Sequence, residues 1–320
     1  MKIAVAGAGA FGTALGISLS RVGRHVTLIA RDPSAASLMQ RERFNPKLTD
    51  CPFPQSLNVS AGLEHIEDAD VILLAMPAQS LRGFLSETAQ KLSGKYLIAC
   101  CKGIDLTSLT GPTSIIADVV PNARPAMLTG PSFAFDIARG LPTALTLAME
   151  NQLDCELLQN ELTTDNLRIY RTADVIGAEL GGALKNVIAI GAGVAIGGNL
   201  GDSARSAMMT RGFGEMRLLA SALGAKPETL NGLSGFGDLA LTCTSELSRN
   251  YCHGLAIGRG GVPDPSKTVE GVATAKAVVE LARKHDLDLP ICTVVAAICD
   301  GKLTIEEALA SLLSRPLREE

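Results

Sequence analysis

Residues 1–16, MKIAVAGAGAFGTALG, constrain this chain more than any other stretch: an apolar run from Lys2 to Ala6 breaks into Gly7, Gly9 and Gly12, the spacing GxGxxG. Alone that spacing is a weak signal. Here it follows a strand pattern, opens a helical one and precedes a second strand pattern ending near Ala30, which is the context in which it binds a dinucleotide. In that reading Gly7 makes the tight turn, Gly9 lets backbone N–H groups reach a pyrophosphate, and Gly12 lets the helix pack close to the strand. The helix N-terminus supplies the positive dipole end that favours phosphate. A glycine turn that serves packing only is the competing reading. The cluster begins before any secretory or transit signal would fit, so a cytoplasmic protein is expected.

The runs KIAVAG, HVTLIA, DVILLAMP, YLIACC, AMLTG and TALTLAME read as strands, with helical spacing between them at residues 11–22 and 80–92. Runs that are apolar throughout suit strands covered on both faces. The expected fold class is therefore α/β: an N-terminal doubly wound (Rossmann) parallel sheet domain followed by an all-α C-terminal domain. The turn-rich NPKLTDCPFPQSL, residues 45–57, reads as an irregular surface connection. After LRIYRTAD, residues 167–174, helical patterns dominate. This places a dinucleotide-binding domain over residues 1–178 and a helical substrate-binding and catalytic domain over residues 179–320, a division that suits the length. The apolar stretch at residues 175–199 is long enough to pass for a membrane span. It carries Glu179, Lys185 and many glycines, so a buried helix is expected and an integral membrane protein is not.

A net charge of −4, no Trp and three Tyr leave neither a basic surface nor stacking rings for nucleic acid. Eight scattered cysteines without a CxxC pair suit reduced thiols in structural or incidental roles, and neither disulfides nor a metal site is expected. Cys100 and Cys101 are neighbours in a strand pattern, where successive side chains point to opposite faces, so no bridge between them is expected.

At the end of the second strand pattern the usual carboxylate for a ribose 2′-hydroxyl is displaced by Arg31, with Asp32 one residue later. Arg31 suits a 2′-phosphate, so NADPH is the expected cofactor. NADH, through Asp32, is the alternative, and an ordinary surface arginine the bland one. A nicotinamide cofactor moves hydride, so the protein must exchange a proton with the substrate oxygen and hold the carbon in place. His25, His65, His253 and His285 lie in contexts that single none of them out. Lys185 interrupts an apolar helix just after Gly181 and Gly182, which leave room for a cofactor or another backbone. Burial would lower its pKa from roughly 10.4 toward neutrality. The competing reading pairs it with Glu179 or another carboxylate.

Lys102, in CCKGID, comes at the carboxyl end of a strand pattern, the edge at which doubly wound sheets bind ligands. TGPSFAFDI, residues 129–137, follows another: Gly130 and Ser132 can present donors there, or Ser132 can cap a helix. Further on, GLSGFGDLALTCT places Asp238 and Thr242 one helical turn apart. SELSRNYCHG offers Ser248, Arg249 and Asn250 at a helix start, where a serine cap, free N–H groups and a guanidinium hold a phosphate dianion. A plain capped helix with a solvated arginine is the default against it.

Together these motifs resemble the bacterial NAD(P)-dependent glycerol-3-phosphate dehydrogenase family over nearly the whole chain, most specifically in GAELGGALKNVIAIGAG, GFGDLALTCTSELSRN and KTVEGV. The resemblance implies reduction of dihydroxyacetone phosphate to sn-glycerol 3-phosphate for phospholipid synthesis. It makes Lys185 the proton donor and acceptor, with Asn186 orienting the substrate and Asp238 and Thr242 supporting the lysine and the substrate hydroxyl. Lys102 would be shared by the substrate and nicotinamide sides, Gly130 and Ser132 would touch substrate, and Ser248, Arg249 and Asn250 would form its phosphate end. Ala10, Phe11, Arg31, Ala134, Arg249 and Glu270 fall on cofactor positions. Cys101 departs from the family's usual Thr before the Lys-Gly pair. The resemblance also implies a cytosolic homodimer. A related reductase of the ketopantoate or 6-phosphogluconate type is the enzyme alternative, which the SRN helix start argues against. An NADPH-sensing protein without turnover is the other.

Overall fold

The apolar runs become strands of one sheet in the computed structural model, which describes residues 1–316. They are β1 (Lys2–Ala6), β2 (His25–Ile29), β3 (Leu57–Ser60), β4 (Val71–Leu74), β5 (Tyr96–Ala99), β6 (Arg124–Thr129), β7 (Thr143–Ala148) and β8 (Leu167–Thr172), in the order β3-β2-β1-β4-β5-β6-β7-β8. Alternate residues of β1 show why the runs are apolar throughout. Ile3 and Val5 enter one core layer, with Leu15 of the helix Ala10–Arg21, while Ala4 and Ala6 enter the layer on the other face. Helices cover both faces, as the pattern predicts.

The sheet departs from the all-parallel expectation at one seam, where β7 runs antiparallel to β6. The helix between them, Ala134–Arg139, has six residues. The chain leaves β6 and turns back beside it without a crossover, so β7 takes the opposite direction. β3 carries no continuous apolar run because it is an edge strand: Leu57 and Val59 are buried and Asn58 is exposed.

Residues 45–57 are irregular but not a surface connection. Leu48, Cys51, Phe53 and Leu57 sink into the sheet core. The Arg43 guanidinium donates to the Pro54 and Leu57 carbonyl oxygens at 2.6 and 2.8 Å. Turn residues set the local path, and the four apolar side chains among them fasten it inward.

The chain divides into two compact units. One comprises Met1–Lys102 and Thr110–Glu179; the other takes Gly103–Leu109 together with the residues from Leu180 onward. Among the described residues the regular elements of the second unit are all helices. Its core is built on the helix Val175–Gly197, with Val187, Ile188 and Ile190 fully buried. The most apolar window of that helix is 94% buried within the protein, so it is a core helix.

Candidate functional site

In the sheet unit, β1 ends where the strand order runs outward to β2 on one side and β4 on the other, the crevice at which open α/β sheets take ligands. Gly7 stands there with φ 120°, and a Cβ on it would lie 2.5 Å from the Ala75 carbonyl oxygen. A Cβ on Gly12 would collide with the Gly7 carbonyl oxygen. Packing within the protein therefore accounts for both. Gly9 differs, because a Cβ there would meet nothing within 4 Å. Immediately after it the helix Ala10–Arg21 begins without a side-chain cap or a first-turn acidic residue. The opening N–H groups of such a helix, here those of Ala10, Phe11 and Gly12, have no intrahelical partners, and together they form a cradle for an anion. Open space beside Gly9 and an uncapped helix end fit a dinucleotide pyrophosphate.

Arg31 and Asp32 follow β2. Asp32 caps the helix Pro33–Glu42, its Oδ1 accepting the Ser34 N–H at 2.8 Å, while Arg31 is exposed. At the ends of β5 and β6, the Lys102 Nζ donates to the Gly130 carbonyl oxygen at 2.9 Å and the Ser132 Oγ donates to the same oxygen at 3.2 Å. Ser132 is thus not a helix cap. The helix that starts at Ala134 follows Phe133 and has no side-chain cap. The Thr129 hydroxyl, just before Gly130, is buried without a hydrogen-bond partner among the described residues. Burial pushes the nearby Cys100 thiol up to about 12 against the pull of Lys102, so no thiolate forms there.

In the helical unit, Gly181 decides the geometry. A Cβ on it would lie 2.5 Å from the Ser234 carbonyl oxygen, so the gap it leaves admits another backbone, the π-helical turn Leu233–Gly237. Nothing in the sequence marks Ser234, which contributes through its main chain. The helix Asp238–Cys243 starts where that turn ends and presents Asp238 and Thr242 to Lys185. The Lys185 Nζ donates to the Thr242 Oγ1 at 2.7 Å and lies 3.1 Å from the Asp238 Oδ1, and Thr242 donates to that oxygen at 3.2 Å. The Lys185 and Asp238 side chains are 8% and 2% exposed. The carboxylate beside Lys185 is therefore Asp238. Glu179 instead accepts the Thr113 N–H at 2.6 Å in the other unit. Burial pushes the Cys243 thiol up to about 12 in spite of Lys185, so here too the lysine has no thiolate beside it.

Asn186, next to the lysine, accepts from the Asn250 Nδ2 at 2.8 Å, and the Asn250 Oδ1 accepts the Gly271 N–H at 2.9 Å. Gly271 follows Glu270, the first residue of the helix Glu270–Lys284. Ser248 caps the helix Arg249–Gly258, its Oγ accepting the Tyr251 N–H at 3.2 Å, and Arg249 is exposed on the first turn. The expected residues thus gather in two constellations, one in each unit: Gly7, Gly9, Ala10, Phe11, Gly12, Arg31, Lys102, Gly130, Ser132 and Ala134 in the first, and Lys185, Asn186, Asp238, Thr242, Ser248, Arg249, Asn250 and Glu270 in the second. A buried ammonium oriented by a hydroxyl and a carboxylate is equipped for proton transfer to a bound oxygen.

Residues 2–155 match the family model described as NAD-dependent glycerol-3-phosphate dehydrogenase N-terminus, and residues 174–310 match the one described as its C-terminus. The glycerol-3-phosphate dehydrogenase (NAD(P)+) of Ruegeria sp. (strain TM1040) is 56% identical over 321 residues, covering 100% of both chains. That of Paracoccus denitrificans (strain Pd 1222) is 54% identical over 320 residues, again covering 100% of both. The crystal structure of glycerol-3-phosphate dehydrogenase from Coxiella burnetii matches with a TM-score of 0.93 at 34% identity, over 98% of this chain and 99% of that one.

Proposed function

Because the chain belongs to the NAD-dependent glycerol-3-phosphate dehydrogenase family, we propose that Lys185 is the proton donor and acceptor in a reversible reduction of dihydroxyacetone phosphate to sn-glycerol 3-phosphate. The protein is an NAD(P)-dependent oxidoreductase, and the cofactor supplies the hydride. The observation that carries the role of Lys185 is its burial with the Nζ against Thr242 and Asp238. Lys185 gives its proton to the ketone oxygen in the reductive direction and takes it back in the oxidative one. Asp238 and Thr242 keep the Nζ aimed, and Asn186 orients the substrate.

Ser248, Arg249 and Asn250 hold the substrate phosphate through the helix start and the guanidinium. Binding a remote charged group in this way positions the reacting carbon. Lys102, Gly130 and Ser132 make further substrate contacts. Gly7, Gly9, Ala10, Phe11, Gly12, Arg31, Lys102, Ala134, Arg249 and Glu270 hold the cofactor. Residues 1–178 then serve as the dinucleotide-binding domain and residues 179–320 as the substrate-binding and catalytic domain. Exposed Arg31 beside an Asp32 already bonded to the Ser34 N–H favours NADPH over NADH. The protein works as a cytoplasmic homodimer that supplies glycerol 3-phosphate for phospholipid synthesis, and sedimentation velocity tests the dimer.

The deciding experiment follows NADPH oxidation with dihydroxyacetone phosphate. Lys185→Ala is expected to lower kcat by about 100-fold or more, the scale of a lost general acid, with the Kd for NADPH unchanged. Undiminished turnover would remove the lysine from this role. A wild-type protein that binds NADPH but turns over no dihydroxyacetone phosphate would favour the nucleotide-sensing reading.

A further inference from the structure

We propose that Asn45 is a positioning residue for the cofactor: its carboxamide sets the peptide linking Ala8 to Gly9 so that the Gly9 N–H is presented to the pyrophosphate. This rests on reading the glycine turn as the NAD(P) site. Asn45 is 2% exposed, and its Nδ2 donates to the Ala8 carbonyl oxygen at 3.1 Å and to the Thr13 Oγ1 at 2.7 Å. The residue is itself held, since its Oδ1 accepts the Lys47 N–H at 2.9 Å and its carbonyl oxygen accepts the Leu48 N–H at 2.8 Å. Both ends of the nucleotide turn are therefore tied to one side chain that lies more than thirty residues downstream in the chain.

The tie has a specific consequence. In a trans peptide the C=O and the following N–H point to opposite sides, so fastening the Ala8 carbonyl inward turns the Gly9 N–H outward. Ala8 stands between two glycines, whose wide φ range makes rotation of that peptide easy unless something restrains it. Gly7 is restrained by its N–H bond to the Ile29 carbonyl oxygen at 3.0 Å, and Gly9 by accepting the Thr13 N–H at 3.0 Å. Asn45 supplies the restraint for the carbonyl between them.

The support behind Asn45 is rigid, because Leu48, Cys51 and Phe53 are buried in the sheet core and Arg43 fastens the far end of the segment at Pro54 and Leu57. Only an amide meets the requirement. It offers two N–H donors to two oxygens and one acceptor to the Lys47 N–H, whereas an aspartate of the same shape would set a carboxylate against the Ala8 carbonyl.

The test measures Kd for NADPH and NADH from nicotinamide fluorescence, together with steady-state kinetics and thermal unfolding, on the full-length enzyme. Asn45→Asp and Asn45→Ala are expected to weaken both nucleotides by the same factor, about tenfold or more, the scale of one hydrogen bond to a charged group. They leave kcat at saturating cofactor and the KM for dihydroxyacetone phosphate unchanged. Arg31→Ala, by contrast, weakens NADPH alone. Leu48→Ala removes one of the segment's four apolar anchors and none of the amide's hydrogen bonds, so with the other three holding Asn45 in place it is expected to lower Tm while leaving Kd intact. Asn45 variants that bind both nucleotides as the wild type does, or that lose no more affinity than Leu48→Ala at an equal loss of Tm, would overturn the inference. Failure of the wild type to bind either nucleotide would instead overturn the cofactor reading, and this inference with it.

Discussion

Lys185 was legible in the sequence as a charge set into an apolar helix, and its setting was not. Glu179 is the nearest carboxylate along the chain, but residues six apart do not share a helix face. The partner, Asp238, lies on a helix that reaches the lysine only because Gly181 admits the Ser234 carbonyl. Because the pair is buried, removing one member leaves the other charge stranded, at a cost of about 3–5 kcal/mol. Asp238→Asn is therefore expected to lower both stability and kcat. The double variant Lys185→Met/Asp238→Asn is expected to recover part of the stability and none of the activity. Urea unfolding and NADPH oxidation on the three proteins check this, and an Asp238→Asn enzyme with wild-type kcat would show that the carboxylate does not support the lysine. Ser248 reads more plainly: it is the cap that its position before a helical pattern predicts.

Among the elements, seven strands follow from apolar runs or from LRIYRTAD, while β3 and the reversal at β7 do not. The first lacks a run, and the second is a matter of strand direction, which an apolar run does not encode. The segment at residues 45–57 misled because its turn residues outnumber its anchors. One element junction makes a pH prediction. The helix Pro112–Val119 begins against Glu179, which accepts the Thr113 N–H, and burial raises that carboxyl from 4.5 to about 7, the bonds from Thr113 opposing only in part. The folded state then keeps a proton that the unfolded chain releases. Its stabilisation, of the order of 3 kcal/mol, is complete below pH 4.5, declines as pH rises and is gone above about 7. Glu215, which accepts the Ile291 and Cys292 N–H groups, is raised too, by burial first. Melting followed by circular dichroism at pH 5 and pH 8 is expected to show Glu179→Gln with a smaller fall in Tm than the wild type. Parallel pH curves would mean that Glu179 is ionised throughout.

For the whole molecule, composition and glycine spacing carried the fold class, since a strand-rich half and a helical half are both written in periodicity. All eight cysteines are free, six of them buried, with Cys252 and Cys299 half-buried. Under native conditions a thiol reagent is accordingly expected to label at most these two quickly, Cys252 slowed by its bond to the Glu246 carbonyl oxygen at 2.9 Å, and to label all eight after denaturation. Rapid native labelling of more than two would contradict the burial described. Periodicity gave no sign of Gly103–Leu109, seven residues too short to show a pattern, whose Ile104 is 2% exposed in the core of the helical unit. The backbone passes from one unit to the other at three places, after Lys102, after Leu109 and after Glu179. Severing it at the last of these alone would strand Ile104 on a fragment without its apolar neighbours. The halves are interleaved along the polypeptide, so no uninterrupted piece of gene encodes either one alone.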